Sequence, residues 1–179
     1  DGLRAITGAP LFRFLPDNPH DFDRWWASAE NSLDPLFFAA VVGEQALGRA
    51  AIQRIDLTNA VAEVGHILWG PGLRRTPAAT EAVFLLVDHL FMLGARRVEW
   101  KCDDRNEDSK AAALRFGFTA EGVFRQHMIV KGENRDTAWF SLLDHEWPAR
   151  RQALVEWLHP SNFDANARQV TRLAGRRNS

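Results

Sequence analysis

Apolar and polar positions along this chain follow two periods, and the switches between them lay out its elements. The run LFFAAVV from Leu36 predicts a strand, Gly43-Glu44-Gln45 a turn, and ALGRAAIQRID a returning strand. Asp56 to Asn59 predict a second turn, leading into a strand over Val61 to Trp69. The period then lengthens. Apolar residues cover most faces of Ala78 to Leu93, which predicts a helix packed against a sheet. Thr76 is its expected N-cap, Pro77 suits the first helical position, and Gly94 ends it. Val98 to Cys102 predicts a strand and Glu107 to Phe116 a helix closed by Gly117. Thr119 to Val130 and Asp136 to Leu143 follow as strands, with Gly132-Glu133-Asn134 as the turn between them.

The flanks are less regular. Pro and Gly punctuate residues 1–19, and only Leu3 to Ile6 reads as a helix remnant. Phe22, Trp25, Trp26 and Ala29 fall at helical spacing, with Asp21 or Asp23 available as a cap. With Phe37 and Phe38, the two tryptophans read as core or pocket wall. Two helices are expected to finish the chain, near Glu146 to Leu158 and Phe163 to Leu173. Elements in this order predict an α/β (α+β) sheet with a crossover helix.

Composition narrows the class. A chain of 179 residues forms one domain with a core that needs no staples. A formal net charge of -1 argues against a nucleic-acid partner, which would want a basic face. No apolar run approaches the ~18 residues of a membrane span, so no membrane partner is expected. The single cysteine, Cys102, excludes an internal disulfide framework, and a cytoplasmic location is the simplest expectation. No His/Cys/Asp cluster has ligand spacing, so no metal is expected. The chain opens on Asp1 with neither a signal sequence nor an initiator Met, and reads as trimmed. Tyrosine is absent altogether.

Two stretches point to chemistry. Arg74 and Arg75 lie in a turn that opens onto a helix N-terminus, where backbone N–H groups and the helix dipole favour a phosphate. Further on, Asn106 and Ser109 sit three residues apart at the start of the helix that Gly117 closes. The order strand, phosphate-type turn, long helix, strand, Asn-x-x-Ser helix, Gly-Phe, hairpin resembles the GNAT superfamily of N-acetyltransferases. It looks closest to the RimJ/RimL-type branch, over roughly Leu36 to Trp147. The resemblance implies a mixed, mostly antiparallel sheet with a splayed central strand pair, flanking helices, and acetyl-CoA as cosubstrate. It divides the chain into an N-terminal part (1–35) short by about one strand and part of a helix, a cofactor-binding core (36–144), and C-terminal helices (145–179).

By the same resemblance, the turn residues Arg74, Arg75, Thr76, Ala78 and Ala79 hold the coenzyme A pyrophosphate, and Asn106 and Ser109 lie beside the cofactor. Arg74 and Ala79 fit the family pattern. Pro77 replaces its central glycine and has no N–H to offer, a loss that the side chains of Arg74, Arg75 and Thr76 can offset.

Acetyl transfer needs a neutral amine, a polarised carbonyl, close positioning and a proton for the leaving thiolate. With no tyrosine, Ser109 is the candidate beside the sulfur, more plausible as a hydrogen-bond donor than as an acid. It also reads simply as a polar first-turn residue, and Asn106 simply as an N-cap. Glu63 lies on the strand that relatives use to bind the acyl group, and is the candidate for taking the amine's proton. Strict alternation places Glu63 and Gly65 on one face and His66 on the other. His66 reads better as a packed histidine, Cys102 as a structural cysteine, and Asp103 and Asp104 as loop carboxylates that could line an acceptor pocket. The amine is a protein N-terminus or a small molecule, and homodimer assembly stays open. The alternative is a binding module that keeps the acyl-CoA site without turnover.

Overall fold

The computed structural model describes residues 13–15, 21–166 and 168–173. The expected remnant at Leu3 to Ile6 lies outside them. The elements are α1 (Phe22–Ala29), β1 (Leu36–Val42), β2 (Gln45–Asp56), β3 (Val61–Trp69), α2 (Pro77–Met92), β4 (Arg97–Asp103), α3 (Glu107–Phe116), β5 (Thr119–Val130), β6 (Glu133–Leu143) and α4 (Trp147–Leu158).

The six strands form one sheet in the order β1-β2-β3-β4-β6-β5. Every neighbouring pair is antiparallel except β3 and β4, which α2 connects as a crossover. The parallel pair meets only at Val61↔Arg97, Ala62↔Val98 and Glu63↔Glu99. Beyond Glu63 the two strands part, although β3 runs on to Trp69 and β4 to Asp103. The mixed α/β, mostly antiparallel sheet with a splayed central pair is therefore as expected.

Each helix end has a local cause. Thr76 caps α2 by accepting from the Ala79 N–H at 3.3 Å, with Pro77 in the first turn. Asn106 caps α3 by accepting from the Ser109 N–H at 3.1 Å. Gly117 ends α3 at φ +93°, a left-handed conformation that a Cβ would strain. That Cβ would also run into the side chain of Arg150, whose Nε donates to the Phe116 carbonyl at 2.9 Å.

Buried Val64, Val83, Val87, Val98, Phe118 and Leu142 place the core between the sheet and its helices. Trp147 joins α4 to α2, stacking on Phe91 at 5.2 Å and donating to Asp88 Oδ1 at 3.1 Å. Arg151 holds the same carboxylate at 2.8 Å. Among the described residues, no helix is long and apolar enough to cross a membrane.

Four expectations need correction. Phe163 to Leu173 forms no helix among its described residues. Buried Asn162 clasps that segment in a non-helical path: its Nδ2 donates to the Trp157 and Thr171 carbonyls, and its Oδ1 accepts from the Thr171 N–H. The β5–β6 turn is tighter than expected, with Lys131 and Gly132 both at positive φ as a two-residue hairpin requires. Asp21 precedes α1, but its carboxylate makes no capping bond and lies 3.8 Å from Arg24. Trp26 is exposed rather than core, whereas Phe38, also exposed, lines a groove between β1 and α2.

Candidate functional site

A cavity of about 250 Å³ opens where β3 and β4 part. It is lined from β3 by Glu63 and Gly65, from β4 by Cys102, and from the α3 start by Asn106 and Ser109. The sequence-selected Glu63, Asn106 and Ser109 thus meet in one place.

Ser109 is held from an unexpected side. Its Oγ accepts from the indole Nε1 of Trp100 at 3.0 Å, and its own O–H is within donating reach of a sulfur, that of Cys102. Trp100 is itself wedged between Phe116 and Phe118, at ring distances of 6.2 and 5.7 Å. The Asn106 side chain is committed to its cap. Cys102 is buried, and burial pushes its thiol pKa up, against a nucleophilic role.

Glu63 is 1% exposed, a buried carboxylate on a strand whose one other polar side chain is His66. Oε1 accepts from Gln53 Nε2 at 2.7 Å. Oε2 faces Lys101 Nζ at 3.2 Å and Arg54 Nε at 3.4 Å, contacts that are ionic rather than well-directed hydrogen bonds. Burial raises the Glu63 pKa, and Lys101, Gln53 and Arg54 only partly oppose it. Gly65 makes room for this arrangement. A Cβ there would collide with the Gln53 amide and sit 3.0 Å from Glu63 Oε1.

The strict alternation expected along β3 fails after Gly65. Arg49 pairs with Leu68 and Ala51 with Gly65, so β3 carries one extra residue between those pairs. His66 takes φ +49° in that bulge and lines the same cavity as Glu63, with its ring 5.3 Å from Phe37. The bulge is why His66 is not confined to the opposite face.

Asp103 lines the cavity, but its carboxylate belongs to Arg105. Oδ1 accepts from the Arg105 N–H at 2.9 Å and from its Nε at 3.1 Å, and Oδ2 from its Nη2 at 2.9 Å. Burial pulls the Asp103 pKa upward, and those bonds bring it net below its ordinary value. Asp104 pairs with Lys110 at 3.3 Å.

The turn residues divide. Arg75, Thr76 and Ala79 line a second groove of about 550 Å³, shared with Ala112 and Arg115 of α3 and Trp157 of α4. Arg74 points to the start of α3, 3.7 Å from Asp108, with both groups exposed. Ala78 lines a different groove, against β1. The Thr76 hydroxyl is already spent, donating to the Leu73 carbonyl at 2.7 Å while accepting the cap bond.

Trp100, Arg115 and Arg135 escaped the sequence reading, as did Gln53, Arg54 and Lys101 around Glu63. Arg115 donates to Thr80 at 3.1 Å and lies 4.7 Å over the Trp157 ring. For Trp100 and Arg135 the sequence carries no signal, because only the fold brings β4 and β6 to α3.

Comparison with known proteins accords with this fold. Residues 5–119 match the family model described as Acetyltransferase (GNAT) domain. The chain belongs to the GNAT family of N-acetyltransferases. A solved GCN5-related N-acetyltransferase from Brucella melitensis is 48% identical and superposes with a TM-score of 0.93, over 97% of this chain and 83% of that one. The uncharacterised N-acetyltransferase p20 of Bacillus licheniformis is 33% identical over 117 residues, 62% of this chain. The match spans 63% of that relative's length. YdaF of Bacillus subtilis (strain 168), whose name provisionally assigns it to ribosomal N-acetyltransferases, is 26% identical over 77% of this chain and 79% of its own.

Proposed function

We propose that this protein moves an acetyl group from acetyl-CoA to a primary amine by direct attack, at the β3–β4 splay. The observation that carries the reading is the meeting of Glu63 and Ser109 on one cavity where the ladder stops. Backbone groups on the parting edges of β3 and β4 are not claimed by the strand ladder and favour an extended, amide-bearing ligand such as pantetheine. The Arg74 and Arg75 guanidiniums, the Ala78 and Ala79 turn and Thr76 are assigned to the pyrophosphate end. With Pro77 lacking an N–H and the Ala79 N–H taken by Thr76, the side chains carry most of that contact.

In the reaction, the amine nitrogen bonds to the thioester carbonyl carbon and the carbon–sulfur bond breaks. The amine's proton passes to Glu63 through water, and its ionic partners Lys101 and Arg54 favour the carboxylate form that can accept it. A β3 backbone N–H faces the oxyanion as it develops. The Ser109 O–H, set by Trp100, donates to the departing sulfur, which takes its proton from Ser109 or water.

Calorimetric titration with acetyl-CoA, followed by coenzyme A release across peptide N-termini, amino acids, polyamines and aminoglycosides, tests the reading. Micromolar binding and turnover with one class are expected. Binding without turnover on any amine would favour the non-catalytic module, and no binding would overturn both. Ser109→Ala should lower kcat about tenfold, the ~1.4 kcal/mol of one hydrogen bond, and an unchanged rate refutes its role.

A further inference from the structure

Arg135 enters the same cavity from β6 and makes no side-chain hydrogen bond or ion pair among the described residues. Its residue is 8% exposed, and Nε is fully buried and unsatisfied. A guanidinium carries five N–H donors and cannot shed its charge, and here Nε is cut off from water while the terminal nitrogens face the cavity without a bond, so an anion placed there gains donors that are already aimed. Asp103 attracts it through space, but no acid among the described residues makes a hydrogen bond or an ion pair with it. The Asp103 carboxylate is filled by Arg105, and Glu63 is held by Gln53, Lys101 and Arg54. The cavity therefore holds a surplus of positive charge beside the groups assigned to the chemistry.

We infer that Arg135 binds a carboxylate on the acceptor, so that the preferred substrate is an amine carrying a carboxylate close by. The inference rests on the acetyl-transfer reading above. The cofactor's phosphates do not serve as the missing anion, because Arg75 and Thr76 line the separate groove by α3 and α4. A planar guanidinium matches a carboxylate with two parallel N–H···O bonds. The same surplus of cations repels a polyamine, whose charges are all positive. A free α-amino acid supplies the carboxylate itself, and a peptide supplies it from an acidic second residue.

The test compares kcat/KM by coenzyme A release for matched acceptors. One arm sets free α-amino acids against their carboxamides; the other sets peptides with Asp or Glu second against Asn or Gln second. Wild type should favour the acidic member of at least one arm by tenfold or more, and the responding arm names the carboxylate's source. Arg135→Gln should bring that ratio close to one, with Arg135→Lys between. A wild-type ratio near one in both arms, or a ratio that survives Arg135→Gln, overturns the inference. If nothing turns over, calorimetry of the same pairs against the coenzyme A complex reads the preference directly, by the same criteria. Failure to bind acetyl-CoA would overturn the acetyl-transfer reading and this inference with it; binding with no preference overturns this inference alone. Arg135→Met should melt at or above the wild-type temperature, since it removes an unpaired buried charge. A melting point several degrees lower would show a structural arginine instead.

Discussion

Trp100 and Ser109 belong to different elements, yet the indole N–H decides what the serine hydroxyl can do. By donating to Oγ it occupies an acceptor site and leaves the O–H to donate to a sulfur, the role it has toward Cys102. Trp100→Phe keeps the ring between Phe116 and Phe118 and deletes only that donor. Under the proposed mechanism kcat should fall about threefold to tenfold while the acetyl-CoA dissociation constant holds, and equal losses in both would show general loosening. Glu63 invites a pH measurement. Its folded pKa is raised by burial, so it is protonated and useless as a base over a range where an exposed glutamate is already ionised. The acid limb of kcat/KM should lie above the ordinary carboxylate range and disappear in Glu63→Gln. The linkage sign is destabilising with rising pH. The native state prefers the proton, so stability is greatest below the unfolded pKa and declines as pH climbs through the folded one.

At the scale of elements, the hairpin edge and the helix ends make separable predictions. Arg97 grips Glu121 with two bonds of 2.7 and 2.6 Å, tying β4 to β5 across β6 and holding the Glu121 pKa down to about 2. A depressed carboxylate contributes stability that is complete above its unfolded pKa and is lost as pH falls through about 2. Glu121→Gln should therefore lose less stability than wild type on acidification across that window, measured by urea unfolding at stepped pH. Gly117→Ala should cost about 1 kcal/mol from left-handed backbone strain, and more from the displaced Arg150. Most elements were legible beforehand because Pro77, Gly94 and Gly117 punctuate runs whose period is unambiguous. The Phe163 to Leu173 helix was misread because Asn162, through long-range bonds that no local pattern encodes, holds that segment otherwise. The bulge at His66 was invisible for a related reason: one extra residue in a strand leaves no mark on composition. Glu63, Asn106 and Ser109 were readable as candidates from spacing and resemblance, and the three line one cavity. Arg135 was not, since its isolation exists only once β4 and β6 are paired.

For the whole molecule, Asp88 links the helical layer to itself. Its carboxylate joins α2 to α4 through Trp147 and Arg151. Asp88→Ala should cost about 1–3 kcal/mol, because it strands the buried indole N–H, and denaturant melts would show it. The position of Pro77 has a different reach. With one amide missing and the Thr76 hydroxyl committed to its cap, the proposed pyrophosphate contact would fall to the exposed guanidiniums of Arg74 and Arg75. Backbone dipoles packed against a ligand feel little of the surrounding electrolyte, but mobile surface charges are screened within a Debye length of ~8–10 Å. The chain's formal net charge is only -1, so long-range steering of a polyanion is weak to begin with. Affinity for acetyl-CoA should then fall steadily with added potassium chloride, and the slope should flatten when Arg74 and Arg75 are both replaced by Gln. A proline in one helical turn would in this way make the protein's grip on its cosubstrate a reporter of the ionic strength around it.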